Sequence, residues 1–109
     1  MAYDEKLASR IRSILKGTRG LEEKKLFGGV GFLVKGNMAC GVHEDSLMAR
    51  IKPETTAAAL KRPSVRPFDI TGKPMQGWIL VSAAGCKTES ALAKWVKESL
   101  AFAKSLPAK

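Results

Sequence analysis

Phe32-Leu33-Val34-Lys35-Gly36-Asn37-Met38-Ala39-Cys40-Gly41-Val42 consists of two short apolar segments around Gly36-Asn37. In an extended chain Phe32 and Val34 point one way, Leu33 and Lys35 the other. Gly and Asn tolerate the backbone angles of a tight hairpin turn, so the run predicts two antiparallel strands. Met38, Cys40 and Val42 then share one strand face. Glu44-Asp45-Ser46 predicts the next turn, and Leu47, Ala49 and Ile51 the next buried face. Connections this short yield an antiparallel meander of three or four strands between Leu26 and Ile51.

Outside the meander the periodicity becomes helical. Leu7, Ile11, Ile14 and Leu15 recur at helical spacing, with Arg10, Arg12 and Lys16 between them. Asp4 and Glu5 sit where a helix dipole favours negative charge, and Gly17 and Gly20 bracket the stop. Pro53 suits a first helical turn, and the Ala-rich run from Glu54 to Arg62 predicts a middle helix that ends before Pro63. Pro63 to Gly77 reads as an extended, irregular connection with Phe68-Asp69-Ile70 as a short strand. Trp78 to Val81 is a further apolar strand. Thr88 is the N-cap expected for a last helix whose apolar face is Leu92, Trp95, Val96, Ser99, Phe102, Ala103 and Leu106, with Lys94, Lys97 and Lys104 opposite. The order of elements predicts an α+β domain: an antiparallel sheet packed against N-terminal, middle and C-terminal helices.

The chain has 109 residues, which suits one domain over 1–109. Leu, Ile, Val and Phe make up roughly a quarter of it, above the roughly 20% below which a charged chain stays disordered. No run is long and apolar enough to span a membrane, and the acidic start is unlike a secretory signal, so a cytoplasmic location is expected. Cys40 and Cys86 make no disulfide framework. The net charge of +9 favours acidic partners or nucleic acid by long-range attraction without choosing between them.

Few groups offer chemistry. Gly29-Val30-Gly31 begins a dinucleotide fingerprint, but Val34 stands where the third Gly is needed, and the segment runs on as a strand rather than opening a helix. Phe32 fits one aromatic position of an RNA-stacking strand, but Val30 and Lys35 fall on the others, so Phe32 is expected in the core. His43-Glu44-Asp45 lacks metal-ligand spacing, and no metal or cofactor is expected. Cys86, near the start of the last helix, is the only nucleophile worth testing, and the single His lies on a turn away from it. Arg50, Lys52, Lys61, Arg62, Arg66 and Lys73 are the candidate binding residues. They gather into one patch if the long connection folds over the sheet edge, and clustered cations are what phosphate contact requires.

These residues resemble the amino-terminal domain of the TfoX/Sxy competence-regulator family. The match runs through Lys24-Lys25-Leu26-Phe27-Gly28-Gly29, Gly31-Phe32-Leu33-Val34, Gly36-Asn37-Met38 and Gly41-Val42, with Leu47 and Arg50 following. It continues through Arg66-Pro67-Phe68, Gly72-Lys73-Pro74-Met75 and Gly77-Trp78 to the helix from Trp95 to Leu106. The resemblance implies an α+β fold, a bacterial cytoplasmic setting and no catalytic residues. Longer members add a C-terminal helical domain and regulate genes for DNA uptake, and this chain is expected to be a short, stand-alone member. The function expected is a non-enzymatic regulatory domain that binds a protein partner. The alternative is weakly specific nucleic-acid binding through the basic patch, and a small thiol-dependent enzyme ranks third. A homodimer is compatible with so small a domain.

Overall fold

Asp4 begins the first helix by accepting hydrogen bonds from the backbone N–H of Lys6 and Leu7, groups that a helix start leaves unpaired. The computed structural model describes residues 3–26, 29–68 and 77–107. Helix α1 spans Glu5–Leu15 and buries Leu7, Ala8, Ile11 and Leu15. Gly17 and Gly20 then take positive φ, so the chain reverses directly into strand β1, Leu21–Leu26.

Strands β2 (Gly29–Val34), β3 (Asn37–His43) and β4 (Ser46–Arg50) form the expected meander. The first hairpin turns on Lys35 and Gly36, both at positive φ, so Asn37 is the first residue of β3 rather than part of the turn. Buried Asn37 instead donates its side-chain amide to the carbonyl of Pro107 at 2.8 Å, fastening the chain after the last helix to the sheet. The second hairpin turns on Glu44 and Asp45, with Glu44 at positive φ.

Four details differ from the sequence reading. The charged strand β1 extends the meander to Leu21. Between Phe32 and Leu33 the β2–β3 register shifts by one residue, a bulge at Ala39. Met38 therefore packs with Met48, Phe68 and Leu80, while Cys40 and Val42 join the main core, so the three do not share a face. The middle helix is shorter than Glu54 to Arg62: a 3-10 turn at Pro53–Thr55 leads into α2, Thr56–Ala59. The chain then tightens through Lys61 N–H to Ala58 and Arg62 N–H to Ala59. Finally, the strand in the long connection is β5 at Val65–Pro67, with Phe68 just beyond it. Asp69 and Ile70 lie outside the described residues.

Strand β6, Trp78–Val81, lies between β4 and β5, giving a fully antiparallel six-stranded order β1-β2-β3-β4-β6-β5 among the described residues. A 3-10 turn at Ala83–Cys86 leads to helix α3, Glu89–Ser105, which Thr88 caps by accepting from Ala91 N–H at 3.0 Å. One sheet face contributes Val30, Phe32, Cys40, Val42, Leu47, Ala49, Ile51, Val65, Ile79 and Val81 to a core shared with α1 and α3. The other carries the smaller cluster of Met48, Phe68 and Leu80, bordered by Met38 and Trp78.

Arginines tie α1 to its neighbours. Arg12 grips both carboxylate oxygens of Glu23 on β1 at 2.8 Å and also pairs with Glu5 at 2.7 Å. These bonds hold the Glu23 and Glu5 carboxyls below their usual range. Arg10 pairs with Glu89 at the start of α3 and donates to the carbonyl of Cys86 at 2.8 Å.

Candidate functional site

Residues of α2 and α3 face one another across an open hollow. A cleft of about 790 Å³ separates the two. Ala58, Ala59 and Arg62 line the α2 side, with Lys52 and Thr55 from the preceding turn. Trp95, Glu98, Ala101, Phe102 and Ser105 line the α3 side. The spacing on α3 is that of one helical stripe. Trp95 is nearly buried, Phe102 is half-buried, and Ala101 is exposed.

Both aromatic walls carry a guanidinium. Arg62 lies over Trp95 with Cζ 5.0 Å from the ring centroid. Arg50, at the end of β4, lies 5.6 Å from Phe102 and 5.4 Å from Trp78. These are cation–π distances. Arg50 also donates to the Met38 carbonyl at 3.3 Å, and partial burial weakens its hold on the proton without bringing it near neutrality.

The five candidate cations among the described residues do not gather in one place. Lys52 and Arg62 meet in the cleft, with Arg50 at its Phe102 end. Lys61 is exposed and lies outside the lining. Arg66 lies on the sheet face turned away from the helices, where its Nη2 is 3.4 Å from Ser46 Oγ. Lys73 lies outside the described residues. The aromatic members of the cleft, Trp95 and Phe102, were legible only as core positions, and nothing local in the sequence pairs them with residues 52–62.

A family model for the TfoX N-terminal domain matches residues 13–103. The chain belongs to that family. No curated protein and no solved structure matches it significantly. The family match spans β1 to β6, α2 and nearly all of α3, so both walls of the cleft, Ser105 apart, lie inside the TfoX N-terminal domain.

The two thiols of this TfoX N-terminal domain are buried. Burial pushes Cys40 up to about 12, and Cys86 up to about 11 against a smaller opposing pull from Arg10. Cys86 closes the 3-10 turn before α3 instead of standing at the helix start. Native protein at pH 8 should accordingly be alkylated at Cys86 on the order of 100-fold more slowly than an unhindered thiol. Mass-spectrometric labelling rates, with denatured protein as the reference, check this; labelling at the denatured rate would restore Cys86 as a candidate nucleophile. Among the described residues no three His, Cys, Asp or Glu side chains converge as metal ligands, and no helix is long and apolar enough to cross a membrane.

Proposed function

We propose that this TfoX N-terminal domain is a non-enzymatic regulatory module of the bacterial cytoplasm that works by holding a protein partner in the cleft between α2 and α3. The family supports the regulatory role. The observation that carries the docking reading is the cleft itself: an apolar floor of Trp95, Phe102 and alanines, open to solvent and edged by charge. Interfaces use such a pattern, with aromatic anchors at the centre and polar groups at the rim. The non-enzymatic reading rests on the burial of both thiols and their raised proton affinity.

Nucleic-acid binding has less support. Base stacking needs free aromatic faces beside cations that track a phosphate backbone. Here Arg66 lies on the sheet face turned away from the cleft, so the described cations do not line one continuous track.

Affinity capture from bacterial lysate with wild-type protein and with Ala101→Glu tests the reading. Ala101 is exposed in mid-helix, where Glu is well tolerated, and the substitution puts a charged side chain on the cleft floor. Wild-type protein should capture a reproducible partner that the variant loses. A partner held equally by both proteins would move the interface elsewhere. Random duplex DNA or single-stranded RNA held at micromolar affinity at roughly 200 mM salt, and lost with Arg62→Ala plus Arg66→Ala, would instead establish the nucleic-acid reading.

A further inference from the structure

The docking reading leaves the partner's chemistry open, and the cleft specifies it further. Both walls are helical: a 3-10 turn running into α2 on one side and α3 on the other. The interior of α3 bonds its own N–H and C=O groups, and on the α2 side the carbonyls of Lys52, Thr56, Ala58 and Ala59 accept from the N–H of Thr55, Leu60, Lys61 and Arg62. The cleft therefore offers an incoming chain almost no main-chain partners, and recognition must be through side chains. That suits a helix laid in a groove, not an added strand. On the α3 side, Trp95, Glu98, Phe102 and Ser105 follow one another at three- and four-residue spacing, the ridge that packs against the ridges of another helix. Ala101 beside this ridge has no bulk to hold a second helix away.

Exposed cations lie on both flanks of the cleft, those of α3 just outside its lining. Lys52 and Arg62 edge the α2 wall. On α3, Lys97 and Lys104 stand four residues before and three after Ala101, next to it on the helix surface, and both are exposed. Among the described residues Glu98 is the only carboxylate in the lining.

Resting on that docking reading, we propose that the occupant is an amphipathic helix of a partner protein whose apolar stripe is flanked by acidic residues. Its apolar side chains would pack on Trp95, Ala101 and Phe102, and its carboxylates would meet Lys52 and Arg62 on one side and Lys97 and Lys104 on the other. Electrostatic complementarity of this kind selects partners and speeds encounter.

Two fluorescein-labelled synthetic helical peptides test the proposal by anisotropy. Both carry Leu at i, i+3, i+4 and i+7; one has Glu on the flanks and the other Lys. A Glu-rich peptide without the Leu stripe is the control for charge alone. The acidic amphipathic peptide should bind at least about tenfold tighter than either other peptide. Ala101→Glu should weaken it by at least about tenfold, and Lys97→Glu with Lys104→Glu should reverse the preference between the two Leu peptides. Circular dichroism would establish that the variants remain folded. Equal or tighter binding of the Lys peptide, undiminished binding to Ala101→Glu, or no binding of either Leu peptide overturns the acidic-helix proposal. Capture of a partner that depends on Ala101 would leave the docking reading standing in those cases. Equal binding of the Glu-rich control, or displacement of the acidic peptide by random duplex DNA, would mean a general polyanion surface and would overturn both.

Discussion

Gly41→Ala is expected to destabilise the protein by more than about 3 kcal/mol, a loss reserved for substitutions that break a specific constraint. Gly41 lies in the middle of β3, paired with Gly31 of β2. A Cβ at residue 41 would overlap the Val30 carbonyl oxygen, lie 2.7 Å from Met48 Cε and come within 3.0 Å of Gly31 Cα. The methionine tip can swing aside. The two backbone atoms cannot move without parting central strands of the sheet. Gly17→Ala is the matched control. Gly17 has φ of +87° and nothing within 4 Å of its ideal Cβ, so the cost there is the left-handed conformation alone, about 1–2 kcal/mol. Denaturant titrations of wild type and both variants give the comparison, with unchanged m-values as the condition for reading midpoints as stability. A Gly41→Ala loss no greater than that of Gly17→Ala would contradict the close approach of β2 and β3.

Phe32→Ala should cost about 3–5 kcal/mol, the range for deleting a buried ring and leaving a cavity. Phe32 is fully buried on the helix-covered face, opposite Cys40. Its neighbour Leu33 is half-buried and points to the other face. Leu33→Ala should therefore cost less than half as much. Thermal melts should show the difference, at roughly 4–8 °C per kcal/mol for a domain near this size. The pair also separates two readings of Phe32. A base-stacking aromatic would lose RNA affinity on truncation with little change in melting temperature; a core aromatic does the reverse.

Where burial follows local periodicity, the fold was legible. The hairpin at Gly36, the turn at Glu44-Asp45, strand Trp78–Val81 and the Thr88 cap each depend on residues a few positions apart. Strand β1 was not. Its Glu22-Glu23-Lys24-Lys25 core has no apolar alternation, and what anchors Glu23 is Arg12 on a preceding helix. The bulge at Ala39 was hidden for a related reason: a register shift between strands leaves no trace in either strand's own pattern. The early end of α2 reflects tertiary demand. Thr56 is buried, and its hydroxyl accepts from the Gly77 N–H at 3.0 Å, so one short turn must meet the start of β6 while the chain reverses into β5.

The candidate site was half visible. Arg50, Lys52 and Arg62 stood out by charge. Their companions Trp95 and Phe102 belong to a helix some forty residues later, where they read as core positions, and nothing in the sequence marks Ala101. Sequence spacing says which residues share a helix face, but not that α2 stands across a cleft from this one.

The two margins of the sheet bear on how this protein can associate. At one margin, β1 shows solvent four consecutive exposed charges, Glu22 to Lys25. At the other, among the described residues, β5 is three residues long and ends in Pro67, which has no N–H to give. A foreign strand arriving at the first would have to match both signs of charge in register. At the second it would find too few bonds to hold it. Both margins thus resist the open-ended stacking by which sheet proteins aggregate. Replacing Lys24 and Lys25 with valine would remove that protection at one margin, and light scattering should then show self-association that the wild type lacks.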